Sequence, residues 1–398
     1  MLNVLSREEA VALIKKKTAH LTPETETVNI RDAVGRILAC DTVSAENIPS
    51  FDRSTVDGYA VNAADTFGTG ASIPAQLEIT GEILMGESAD FDLARGQCVK
   101  ISTGGMLPAG ADAAVMVEHT DFAGGLCLVY KPVAPGENIT KKGDDISAGE
   151  TALKKGTLIR PSQIGVLAAL GITEIEVYKK PVIAVISTGD EIVREDPKPG
   201  QIRDINTFLL SAAIKESGCE AIEYGVVTDK REDIENAVKE CVKKADAVII
   251  SGGSSAGARD MTVDIIDTLG EAYFHGIAMK PGKPTIFGII SGKPVFGLPG
   301  HPLAAYFVFR LIVTEFIRDL MNMPPEKPSG RAALAENIPS NHGREEFLCV
   351  KMNENNEIVP LHTKSGIISV LSEAGGFIKI PRNTEGINKG TVMEIYSL

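Results

Sequence analysis

The sequence predicts a multi-domain α/β protein centred on a doubly wound sheet, and three observations lead there. Between residues 180 and 320, apolar runs of strand length alternate with helical periods, the order expected of a parallel sheet covered on both faces. From about 56 to 140 the pattern changes to short apolar runs separated by Gly, Pro and Asp, which suits a small β-rich domain. The length of 398 residues exceeds one ordinary core, because domains commonly run to about 100–200 residues.

The elements follow in order. Ser6-Arg7-Glu8-Glu9 has capping-box spacing, and Ala10, Leu13 and Ile14 then share one face of a helix that ends near Thr18–Thr22. Ile30, Ala33, Val34, Ile37 and Leu38 predict a second helix over Asn29–Ala39, with Gly35 inside it. The β-rich stretch offers Gln76–Ile83, Gln97–Ile101, Ala113–Val117 and Leu126–Tyr130, with Gly124-Gly125 as a hairpin turn. Pro161 opens a helix to Leu170. The central region then reads strand Pro181–Ile186, helix Asn206–Ser217 capped by Asn206 and stopped by Gly218, strand Ala221–Val227, helix Arg231–Lys244 and strand Ala247–Ile250. Helix Met261–Leu269, strands near Thr285–Ile290 and Pro294–Phe296, and helix Leu303–Leu320 complete it. Met323–Pro328 is a proline-rich linker, and Glu346–Met352, Gly376–Ile380 and Val392–Ile395 predict a small C-terminal β domain. The expected division is 1–49 with 141–179, 50–140, 180–325 and 326–398.

Composition narrows the function. A net charge of −13 disfavours nucleic acid and anionic membranes as partners, so an anionic ligand must be held by local cations. No apolar run approaches the roughly 18–20 residues that cross a bilayer. Cys40, Cys98, Cys127, Cys219, Cys241 and Cys349 form no C-x-x-C pair, as expected of reduced thiols in a cytoplasmic protein. The six histidines show no zinc spacing.

The chemistry-bearing residues lie on loops. Ser187-Thr188-Gly189-Asp190-Glu191 follows a buried strand, where carboxylates emerge at a ligand-binding edge. Ser251-Gly252-Gly253-Ser254-Ser255, leading to Arg259-Asp260, offers backbone N–H groups and a helix N-terminus to a phosphate. In Lys280-Pro281-Gly282-Lys283-Pro284 a stiffened turn carries two cations suited to one polyanion. Leu298-Pro299-Gly300-His301-Pro302 is a rigid strand-to-helix junction. Elsewhere Asp57, Thr103 and Asp145 sit on glycine-bearing loops. Each alone is ordinary for a solvated turn; together they suggest Mg2+ held between carboxylates and ligand phosphates. Gly253-Ser254-Ser255-Ala256-Gly257 also fits a nucleophile elbow, so a serine hydrolase using Ser255 is the alternative. That alternative leaves the lysine turn and the acidic loops without a role.

These motifs in this order resemble the molybdopterin molybdenumtransferase family, which includes the C-terminal region of the scaffold gephyrin. The matching stretches are Phe51–Ala60, Lys142–Gly149, Ser187–Glu191, Gly252–Asp260, Lys280–Pro284 and Leu298–Pro302. The resemblance implies an elongated N-terminal α/β region used for dimerisation, a β-rich insert, a molybdopterin-binding α/β domain and a C-terminal β domain. It implies Mg2+-dependent insertion of molybdate into adenylylated molybdopterin with release of AMP, by a homodimer. Its protein partners would be a molybdopterin adenylyltransferase and cofactor-accepting apo-enzymes. Carried over by motif, Asp57, Asp145, Glu191, Asp260, Lys280 and Lys283 are the catalytic positions. Thr103, Ser187, Gly189, Asp229, Gly252, Gly253, Ser255, Pro299, His301 and Pro302 would bind substrate, and Glu191, Asp229 and Asp260 would face the metal. The chain departs from the family pattern at His301 and at Ser254 in the glycine loop. A gephyrin-like scaffold without catalysis is a second alternative; it expects an added N-terminal domain or long linker, whereas this sequence opens on the capped helix.

Overall fold

The structure, a computed structural model, describes residues 4–252, 256–340, 342–362 and 366–398, the side chains of 256–260 excepted. Helix α1, Arg7–Thr18, starts at the capping box: Ser6 Oγ accepts from the Glu9 N–H, and the Glu9 carboxylate accepts from the Ser6 N–H. After it comes strand β1, Thr25–Asn29. The expected helix over 29–39 is absent. In its place Ile30–Asp32 makes one 3-10 turn, Gly35 takes φ +81°, and Ile37 and Leu38 form bridges to Leu158 and Val177. The apolar spacing reflected Ala33 and Leu38 entering one core and Ile37 another on irregular backbone, while Val34 stays exposed.

Strands β2 (Gly58–Val61), β3 (Ala75–Ile83), β4 (Gln97–Ile101), β5 (Ala113–Met116), β6 (Thr120–Ala123) and β7 (Leu126–Val129) form one sheet in the order β5-β2-β4-β3-β7-β6. Gly124 and Gly125, at φ 58° and 88°, turn β6 into β7 as expected. Helix α2, Pro161–Ala169, begins on its proline and leads to β8, Glu174–Tyr178, the antiparallel partner of β1.

The central domain runs β9 (Val182–Thr188), α3 (Asn206–Glu216), β10 (Glu220–Val227), α4 (Arg231–Lys244), β11 (Ala247–Gly252), α5 (Ala256–Leu269), β12 (Glu271–His275), β13 (Met279–Lys280), β14 (Ile286–Ile290), β15 (Lys293–Leu298), α6 (Pro302–Val308) and α7 (Thr314–Leu320). Its sheet has the order β10-β9-β11-β15-β14-β12. Four neighbours, β10 to β15, are parallel, and β14 is antiparallel to both β15 and β12. Strand β12 was not anticipated, and the expected all-parallel sheet has an antiparallel hairpin at one side. Because β12 and β15 both oppose β14, five carboxyl ends still share one edge. Helices α3 and α6 cover one face and α4 and α5 the other, each over its own apolar core. The single helix expected over 303–320 is instead α6 and α7 joined by a π-helical turn, Phe309–Val313.

Strand β16 (Glu345–Met352) pairs antiparallel with β17 (Ile358–Pro360) and β18 (Gly376–Ile380). It also pairs in parallel with β13, through Met279 opposite Glu345 and Lys280 opposite Glu346. The C-terminal sheet is thereby stitched to the turn that carries the two lysines.

Candidate functional site

A cavity of about 800 Å³ opens where the lysine turn, the Pro299–Leu303 junction and β16 meet. Lys280, Lys283, Pro299 and His301 line it, and so do Arg344, Glu346 and His362, which no motif had marked. Its wall includes Leu303, Phe307 and Phe347. Apolar walls lower the local dielectric, which strengthens cation–anion attraction there. Gly282 permits the turn, since at φ +114° an added Cβ would meet Val308 Cγ2 at 2.6 Å. The only signals for Arg344 in the sequence were a basic residue and glycine just ahead of a predicted strand, a common surface pattern.

The middle of the sheet edge is held by buried polar groups. Asn206 Nδ2 donates to Ser251 Oγ at 2.8 Å and to the Gly300 carbonyl at 2.9 Å, tying the end of β11 to the junction after β15. Asn206 is thus a staple rather than the expected helix cap, and its side chain makes no capping bond. Ser187, expected to touch ligand, is fully buried and bonded to Thr207 Oγ1 at 2.8 Å and Asp204 Oδ1 at 3.1 Å. Its hydroxyl positions the 204–207 segment instead. At Gly252, φ +150°, a Cβ would lie 2.3 Å from the Thr188 carbonyl oxygen, so only glycine allows these strand ends to approach. Gly253 and Ser255 lie outside the described residues; Asp260 is in α5, with its side chain likewise outside them.

At the far end of the edge, Asp190, Glu191 and Asp229 follow β9 and β10. Asp190 Oδ1 accepts from the Asp229 N–H at 3.1 Å. Burial, reinforced by the charges of Asp190 and Glu191, pushes the Asp229 carboxyl above the ordinary carboxylate range. Asp229 Oδ1 is buried and has no hydrogen-bond partner among the described residues. Gly189 borders a separate groove of about 520 Å³ here, together with Asp190 and Arg194. With neighbouring strands about 4.8 Å apart, five spacings put this acidic end roughly 24 Å from the β12 side of the edge.

Asp57, Thr103 and Asp145 are not brought into the lysine cavity. Asp57 Oδ1 accepts from the Thr103 N–H at 2.7 Å and from Thr103 Oγ1 at 3.1 Å, which holds its carboxyl below the usual range. Asp145 donates its N–H to the Ile48 carbonyl at 3.0 Å, and Asp52 Oδ1 accepts from the Lys142 N–H at 2.7 Å. The segment 48–57 therefore gathers all three residues, exposed, at one place in the N-terminal half.

A multi-domain α/β protein with cations gathered in one cavity and carboxylates beside a separate groove, both along the carboxyl edge of a sheet, is of a class suited to anionic ligands. Three family models tile the chain: the MoeA N-terminal region (domain I and II) over residues 5–171, a probable molybdopterin binding domain over 184–319, and the MoeA C-terminal region (domain IV) over 331–398. The molybdopterin molybdenumtransferase of Bacillus subtilis is 33% identical over 384 residues, covering 94% of this chain and 89% of that one. A putative molybdopterin biosynthesis protein of Methanocaldococcus jannaschii is 35% identical over 413 residues, covering 100% and 98%. The crystal structure of a molybdopterin biosynthesis MoeA protein from Pyrococcus horikoshii superposes with TM-score 0.85 at 32% identity, covering 99% of this chain and 100% of that one. The chain belongs to the molybdopterin molybdenumtransferase family, and so to the enzymes of molybdenum cofactor biosynthesis.

Proposed function

We propose that the chain inserts molybdate into adenylylated molybdopterin, with Mg2+, releasing AMP. The observation that carries this reading is the cavity in which Lys280, Lys283 and Arg344 converge at the carboxyl edge of the sheet. Molybdate and the pterin nucleotide are both anions, and holding them side by side requires cations to offset their repulsion. Lys280, Lys283 and Arg344 supply three in one cavity, which would hold the oxyanion. Pro299 and Pro302 keep His301 at the rim of the same cavity without added flexibility.

Asp229 tests whether a divalent cation fits. Its partnerless buried oxygen and raised pKa mark a carboxylate crowded by Asp190 and Glu191, a situation that Mg2+ would relieve. No set of three or more His, Cys, Asp and Glu converges to cage a metal among the described residues. The fit is therefore to Mg2+ held by one or two carboxylates together with substrate phosphates, Glu191 and Asp229 being the holders and Asp260 a third candidate. Such an ion supplies charge neutralisation at the phosphoanhydride. The chain's own groups do the rest: the α5 N-terminus favours the charge of the phosphates. Asp57, Thr103 and Asp145 would act from a second copy of the chain, because their exposed loops share no cavity with the lysines in this one.

The test is incubation with adenylylated molybdopterin, Mg2+ and molybdate, following AMP and active cofactor together. Equal amounts of both are expected. AMP without metal incorporation would make the chain a phosphohydrolase.

A further inference from the structure

We propose that Glu346 sets the charge selectivity of the lysine cavity, a proposal that rests on the assignment of that cavity to the oxyanion. Glu346 side-chain exposure is only 7%, and its Oε1 lies 2.6 Å from Lys280 Nζ. Its Oε2 accepts from Ser340 Oγ at 3.1 Å, so both oxygens are engaged. The pair does not depend on side-chain chance: Lys280 and Glu346 are register partners where β13 meets β16, so the backbone holds the two residues side by side. A lysine at an anion site is thus bonded to a carboxylate from a strand beyond the central domain.

Two consequences follow from this geometry. First, Glu346 orients the Lys280 ammonium, which otherwise sits on a flexible four-carbon stem at 53% side-chain exposure. Second, it subtracts a charge. Among the described residues lining the cavity, Lys280, Lys283 and Arg344 are cationic and Glu346 is the one carboxylate, which leaves two positive charges. That balance matches a tetrahedral dianion. Without Glu346 the same pocket would carry three positive charges, hold the dianion more tightly and favour more highly charged anions. Tighter holding of the bound reactant, not matched in the transition state, slows turnover.

The experiment measures equilibrium binding of molybdate alone to the full chain, with sulfate and orthophosphate as competitors. The variants are Glu346→Gln, Glu346→Asp and Lys280→Gln, with thermal melts on each. Glu346→Gln is expected to bind molybdate about tenfold tighter and to admit orthophosphate more readily. In the coupled assay it lowers KM for molybdate and kcat together. Glu346→Asp keeps the charge and is expected to stay near the wild-type affinity. Unchanged or weaker binding by a folded Glu346→Gln would overturn the proposal and leave Glu346 as a domain-joining residue. If Lys280→Gln binds molybdate as well as the wild type, the oxyanion cavity itself fails, and the role given to Glu346 falls with it.

Discussion

The strand-end groove of the central domain and the loop cluster at 48–57 carry similar residues on different foundations. In the groove, the ligand-facing turns rest on buried groups: Asn206 is 6% exposed and bonds both Ser251 and Gly300. In the cluster, Asp57, Thr103 and Asp145 are exposed and are held by hydrogen bonds between loops distant in sequence. A site with a buried support is complete before ligand arrives. A set of exposed turns acquires a definite task only when another surface is placed opposite it.

The contrast predicts effects of graded size. Each groove lysine removed takes away a charge-assisted contact worth about 1.5–3 kcal/mol, so the double change Lys280→Gln with Lys283→Gln should cut kcat/KM roughly 10³-fold. Retained activity in the coupled assay would break the comparison at its strongest point. Asp229→Asn should raise the Mg2+ needed for half-maximal activity on the order of tenfold. It should also raise the melting temperature in Mg2+-free buffer at neutral pH. The sign follows from the raised pKa: the folded state binds the Asp229 proton more tightly than the unfolded chain, so ionised Asp229 costs stability above its folded pKa. That cost, and the advantage of the variant, vanishes as pH falls below the unfolded value.

Asn206→Ala removes both bonds, leaving the buried Ser251 hydroxyl only its 3.5 Å bond to the Pro299 carbonyl and the half-buried Gly300 carbonyl without Asn206, and urea melts should register a loss of about 1–3 kcal/mol. A smaller loss would mean that the groove is less firmly supported than its hydrogen bonds imply. Thr103→Val is the mildest change. It removes the 3.1 Å hydroxyl bond to Asp57 and keeps the 2.7 Å N–H bond, so the Asp57 pKa should rise partway towards the usual carboxylate value. The melting temperature at neutral pH should fall only slightly. The lowered carboxyl stabilises the fold above its unfolded pKa, and that contribution is lost as pH falls through the folded one. Carboxyl-carbon NMR titration reads the shift directly; a fall in the Asp57 pKa would contradict it.

Much of this was legible in the sequence where a signal was local. The capping box placed α1, two adjacent glycines placed a hairpin, and continuous apolar runs placed β9 and β11, because caps, turns and buried strands are set by nearest neighbours. The helix expected over 29–39 failed because apolar spacing cannot separate a helical face from irregular chain whose alternate residues enter a core. Strand β12 escaped notice because its run, Glu271–His275, is mixed in polarity and only its pairing with β14 defines it.

The motifs by themselves determined which loops carry the chemistry and, by their order, the family. Tertiary structure alone decided that Arg344 and Glu346 join Lys280 in one cavity, that Ser187 faces inward, and that Asp57 does not share the lysine pocket. Those outcomes depend on residues dozens to hundreds of positions apart being brought within a few ångströms. That closeness comes from strand register and core packing, which no local pattern encodes.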